Sequence, residues 1–140
     1  MTRVGHSGEA SIIGRAILAA LVVVTAGLLA SQPLRAAAPR LQVFFASDFT
    51  DAAYQKQTYQ KVASAWKRPA KNPKPGGKAV VIAVIQKDGS IPPPTLHLAS
   101  GSDEWDAAAL EAVKSAAPFS PLPKGYARPS VEVHFHFEYL

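Results

Sequence analysis

The C-terminal stretch SVEVHFHFEYL, Ser130 to Leu140, alternates without a break. Val131, Val133, Phe135, Phe137 and Tyr139 fall on one side, and Glu132, His134, His136 and Glu138 on the other. Side chains along a strand point to opposite faces in turn, so the pattern predicts a strand with one apolar and one wet face. Such strands belong to antiparallel sheets covered on one side only. The chain therefore needs apolar elements to lay on the aromatic side, and a neighbouring strand to pair with.

The neighbour is KAVVIAVIQ, Lys78 to Gln86. It is rich in Val and Ile, too short for a typical helix, and apolar on both parities, which predicts a central strand. Periodicity leaves open which parity faces the core. The following Asp88-Gly89-Ser90 is a hairpin turn signal, because Gly takes the positive φ that such turns need. The return segment carries Pro92, Pro93 and Pro94. Proline donates no ladder hydrogen bond, so the second strand starts near Thr95 and lies at an edge.

Two helices supply the cover. From Asp48 the spacing turns helical, with Ala52, Tyr59, Val62, Ala63 and Trp66 on one face, Asp48 or Thr50 as cap, and Pro69 as stop. A second helix starts at Ser102 or Asp103, with Asp103, Glu104 and Asp106 suiting its positive N-terminal end. Its face of Trp105, Ala108, Ala109, Ala112, Val113 and Ala116 is mostly small and allows close approach to a sheet. Pro118 stops it. The expected fold is α+β: a three-stranded antiparallel sheet, order 2-1-3, with both helices on one face. The expected core is Tyr59, Val62, Trp66, Val80, Ile82, Val84, Leu110, Val113, Phe119, Val133, Phe135 and Phe137.

The N-terminus sets the compartment. Arg3 and Arg15 precede an apolar run from Ala16 to Ala30, and Ala36-Ala37-Ala38 follows. That is the order of a secretory signal, and the run falls short of the ~20 residues of a spanning helix. Residues 1–38 are read as a signal peptide or an N-terminal membrane anchor, 39–47 as a short linker, and 48–140 as the folded domain. The domain is expected in the periplasm. The alternative is the inner membrane, anchored by residues 16–30 and facing the periplasm, with membrane contact only through an uncleaved N-terminus.

Composition narrows the chemistry. The chain has no Cys, so it has no disulfides, thiolate nucleophile or thiolate metal site. No serine sits in a nucleophile-elbow context, and the glycines form no phosphate cradle, so no enzymatic activity and no cofactor are expected. The formal charge of +5 is spread over scattered residues such as Lys67, Arg68, Lys71, Lys74 and Lys78. No aromatic residue interleaves that run, which argues against nucleic acid.

From about Tyr59 to Tyr139 the chain resembles the C-terminal domain of the TonB/TolA energy transducers. The residues that carry this are YQKVASAW with Pro69, VVIAVIQKDGSI, ASGSDEWDAAALEAVKSAAPFSPLPKG and VEVHFHFEY, in that order. The most specific piece is the helix with Asp106, Ala108-Ala109-Leu110 and Ala112-Val113, ending in Pro118-Phe119 and Pro121-Leu122-Pro123. The resemblance implies a non-enzymatic periplasmic binding domain with a role in envelope transport. Its partner would be an envelope protein or peptide segment, such as an outer-membrane receptor or a component of a Tol or Ton system. It also implies that the partner pairs with the last strand, which places the site on Val131, Glu132, Val133, His134, Phe135, His136 and Phe137. In this fold the rigid PFSPLP segment returns the chain to the last strand, and Phe119 and Leu122 cover the end of the core. The sequence departs from the TonB branch at two places. No Tyr precedes a Pro, and the apolar run Ala16 to Ala30 carries no His and only Thr25 as a hydroxyl.

Two further readings concern the same strand. His134 and His136 lie two residues apart on one face and are candidate metal ligands, with Glu132 or Glu138. His97 is expected on the opposite edge, roughly 10 Å away across two strand spacings. A homodimer through the exposed edge of the last strand is the other alternative.

Overall fold

The computed structural model describes residues 36–140. The apolar run and the basic residues before it, on which the signal or anchor reading rests, lie outside the described residues. The elements in order are β1 (Pro39–Phe45), α1 (Ala52–Ala65), β2 (Lys78–Gln86), β3 (Thr95–Leu98), α2 (Asp103–Ala116) and β4 (Ser130–Tyr139). They form an antiparallel sheet in the order β1-β4-β2-β3, with α1 and α2 packed on one face.

The α+β class, the two helices and the relative order of β3, β2 and β4 follow the sequence. The strand count does not. The segment 39–47, expected as a linker, contributes β1, so the sheet has four strands and β4 is an interior strand. The physical reason lies in the residues themselves. Leu41, Val43 and Phe45 turn toward the helices, whereas Arg40, Gln42 and Phe44 turn to the open face. β1 satisfies the free edge of β4 over a seven-residue register from Pro39↔Tyr139 to Phe45↔Val133.

The core is built on odd-numbered residues of β2 and β4. Val131, Val133, Phe135 and Phe137 of β4 meet Ala79, Val81, Ala83 and Ile85 of β2 beneath the helices. The parity of β2 that periodicity leaves open is thus the odd one: of the expected core residues on this strand, Ile82 and Val84 lie half-buried on the open face, where Val80 is also buried. From the helices come Tyr54, Thr58 and Val62 of α1 and Trp105, Ala109, Ala112, Val113 and Ala116 of α2. Tyr59, expected in the core, is exposed, and Tyr54 takes its place. Each fully buried Val, Ile or Phe contributes about 1.5–3 kcal/mol, so these residues hold the sheet to the helices.

Capping fixes where the helices begin. Ser102 Oγ accepts from Trp105 N at 3.3 Å at the start of α2, as the sequence suggests. α1 is capped by Asp51, whose Oδ1 accepts from Tyr54 N at 2.9 Å, rather than by Asp48 or Thr50. Asp106 serves a different purpose from a dipole charge. It is buried and accepts from Ser100 N at 2.9 Å, which ties α2 to the end of β3.

The proline segment after α2 lies along the β2–β3 turn. Phe119 N donates to Gly89 O at 2.9 Å, and Leu122 N to Lys87 O at 3.0 Å. Tyr54 OH donates to Ser120 O at 2.6 Å. Phe119 and Leu122 are buried and close the end of the core, as the sequence reading requires.

Candidate functional site

The backbone pattern shows which edges are spent. Ala38 and Leu140 exchange N–H···O bonds, and Ala46 N donates to Glu132 O, so even-numbered residues form the hydrogen-bonded pairs between β1 and β4. On β4 these are Glu132, His134, His136 and Glu138. The odd residues point the other way, as Tyr139 shows by bonding Gly77. Both sides of β4 are therefore paired. On β1 the same alternation turns the backbone groups of Leu41, Val43 and Phe45 outward, along the edge opposite β3.

The seven candidate residues of β4 divide cleanly. Val131, Val133, Phe135 and Phe137 are buried against the helices. Glu132, His134 and His136 line the open face. Three rows cross that face. Arg40, Glu138 and Lys78 form the first, Gln42, His136 and Val80 the second, and Phe44, His134 and Ile82 the third. In the first row Arg40 Nε lies 3.4 Å from Glu138 Oε2, which explains how a carboxylate on this face is nearly buried.

The two histidines have different partners. His134 Nε2 is 2.6 Å from Glu132 Oε1. The His136 ring packs against Phe44, with centroids 4.6 Å apart. Burial lowers the His136 pKa below its ordinary 6.5. Lys78 and His134 lower it further, and the Glu138 carboxylate opposes them. His97 is nearer than expected: its ring centroid lies 6.4 Å from that of His134. Among the described residues no group of three His, Asp or Glu side chains has the geometry to hold a metal ion. The proposed His134/His136 pair is engaged by Glu132 and Phe44 respectively.

Phe44 is half exposed, and with Phe45, Ala46, Glu132 and His134 it lines a shallow cleft of about 420 Å³ at the end of β1. Sequence reasoning missed Arg40, Gln42 and Phe44 as part of this face. The signal was the alternation of RLQVF, hidden by the adjacent Phe44-Phe45 and by the preceding alanines. Among the described residues no helix is long and apolar enough to cross a membrane.

No curated protein matches the chain. Among solved structures, the solution NMR structure of the TonB C-terminal domain of Helicobacter pylori matches with a TM-score of 0.52 and 24% identity. The match covers 66% of this chain and 86% of that one, and at this identity the likeness is one of fold. Residues 51–137 match the family described as TonB C terminal, a span that takes in both helices and the strands β2 and β3 and most of β4. The chain thus belongs to the TonB C-terminal family.

Proposed function

We propose that the chain is a periplasmic protein-binding module that takes up an extended segment of an envelope protein by strand addition on the β4 side of its sheet. Its work is binding rather than catalysis. The observation that carries this reading is β1 itself. Over seven residues the outer edge of β4 accepts an antiparallel strand with alternate apolar side chains turned under the helices. Main-chain bonds at such an edge supply affinity, and the alternate side-chain positions supply selectivity. Family membership supports the same reading, because it places the chain among domains named for energy transducers.

The sites are Val131 to Phe137 of β4, with the open-face residues Glu132, His134 and His136 meeting the partner's outward side chains. The partner class is an envelope protein or peptide, such as an outer-membrane receptor or a component of a Tol or Ton system. Export of the chain would place the domain beside such partners.

The test is site-specific photo-crosslinking in cells that carry the full chain. A crosslinker at His134 is expected to capture an envelope protein, and one at the exposed Lys56 of α1 is not. Capture from Lys56 with none from His134 would move the site to the helices and sink the strand-addition reading.

A further inference from the structure

β1 lies outside the span that matches the family, which begins at residue 51. It also occupies the one edge of β4 that β2 leaves open. Its removal would leave the ladders of β4 with β2 and of β2 with β3 untouched, since those use the opposite set of backbone groups. Its own hold is modest. Of its seven side chains only Leu41 is buried, whereas Val131, Val133, Phe135, Phe137 and Glu138 are buried on β4.

The strand also has a fixed base and a short connection. Phe49 is buried between Tyr54 and Tyr126, with ring centroids 5.3 and 5.0 Å away. Asp48 pairs with Arg128 and accepts from Tyr126 OH. Only Ala46 and Ser47 separate this base from the end of β1. Release of β1 therefore stops at Asp48 and leaves α1 in place.

We infer that β1 is the internal occupant of a strand-binding groove on β4, and that the groove opens by release of β1. The inference rests on the strand-addition reading and names its ligand class. The groove's ligand is an extended segment running antiparallel to β4. It carries apolar side chains at three alternate positions, where Leu41, Val43 and Phe45 now sit. Phe45 stacks on Phe49 at 4.9 Å, so the third position suits an aromatic ring. A cation suits the place of Arg40, facing Glu138, and a flat or apolar group suits that of Phe44, against His136.

A tethered competitor acts at a high effective concentration. A partner segment of equal intrinsic fit thus binds the chain only in proportion to the population with β1 released. The groove is self-inhibited, and whatever pulls β1 away raises its affinity.

The test uses the full chain in detergent and a fluorescent synthetic peptide of residues 37–47. The chain has no cysteine, so the Gln42→Cys/His136→Cys pair, opposite each other in the β1–β4 register, gives a single disulfide that locks β1 in place. The oxidised lock is expected to bind the peptide about tenfold or more weakly than the same protein after reduction. The Gln42→Pro variant removes an N–H that β1 spends on β4, and its affinity is expected to exceed wild type by about tenfold. Equal binding by the oxidised and reduced lock overturns the proposal.

Amide exchange on the wild-type chain decides it without a ligand. The amides of His134, His136 and Glu138, which face β1, are expected to exchange about tenfold or more faster than those of Val133, Phe135 and Phe137, which face β2. Equal protection on the two sides overturns the proposal whatever the peptide does. Peptide binding controlled by the lock, with no envelope protein captured in cells, would sink the partner reading and leave the groove standing.

Discussion

At the scale of single residues, the two tryptophans show how one indole can be structural and another only space-filling. Trp105 is fully buried, and its Nε1 donates to Phe137 O at 3.0 Å, tying α2 to β4. Trp66 stands edge-on to Trp105 at 5.3 Å and to Phe137 at 5.0 Å, yet its own buried Nε1 has no hydrogen-bond partner among the described residues. An unmade hydrogen bond is a cost that a phenyl ring does not carry. We therefore expect Trp105→Phe to be less stable than Trp66→Phe by about 1 kcal/mol or more, read from urea midpoints followed by circular dichroism. Equal midpoints would mean that the Trp105–Phe137 hydrogen bond carries no weight. His136 gives a second test. Its folded pKa is lowered, chiefly by burial and then by Lys78, so the unfolded chain takes up a proton before the folded one does. Its contribution to stability is complete above the ordinary value of 6.5 and is lost as the pH falls below that through the folded value. Wild type should lose stability faster than His136→Gln on going from about pH 7 to about pH 5.5, and parallel curves would show that the burial does not penalise the imidazolium.

At the scale of elements, the turn between β2 and β3 is fixed by what presses on it. Gly89 has φ +91°, and a Cβ there would lie 2.0 Å from Phe119 O. Gly101 has φ +93° with open space around it. Gly101→Ala should cost only the left-handed backbone, about 1–2 kcal/mol. Gly89→Ala should cost clearly more, because it also pushes the proline segment off the hairpin. Thermal melts of the two variants measure the difference, and equal losses would mean that this contact carries no weight. The sequence announced this turn, the proline-delayed start of β3, the Ser102 cap and the alternation of β4, because each depends on local chemistry. It was silent where a distant partner decides. β1 reads as a linker until β4, some ninety residues later, offers it an edge. The parity of β2 is illegible in VVIAVI because both faces are apolar; the side buried in the core is the one that carries Ala79, Val81, Ala83 and Ile85. The exchange of Tyr59 for Tyr54 has another cause. The helical spacing ran through Trp66, but α1 ends at Ala65 and Trp66 is extended, so that spacing did not define the buried face.

At the scale of the whole molecule, the span that matches the family holds two helices and three strands of this chain, and β1, outside that span, adds a fourth strand to the outer edge of β4. Half of the candidate site was legible: the alternation of β4 separates the buried Val131, Val133, Phe135 and Phe137 from the open-face Glu132, His134 and His136. That the edge is already filled was not legible, because the occupant comes from the far end of the chain. Pairing of an extended segment with β4 in the place of β1 is open to direct test by isotope-edited NMR of the labelled chain, bound to an unlabelled peptide of residues 37–47 or to a partner segment identified by crosslinking. In an antiparallel pair the α-protons of the non-hydrogen-bonded residues come closest. Cross-strand contacts are expected from the bound peptide to the α-protons of Val133, Phe135 and Phe137, with loss of the contacts that these residues make to Leu41, Val43 and Phe45 of β1. Contacts confined to α1 or α2, with the β1 contacts intact, would contradict it.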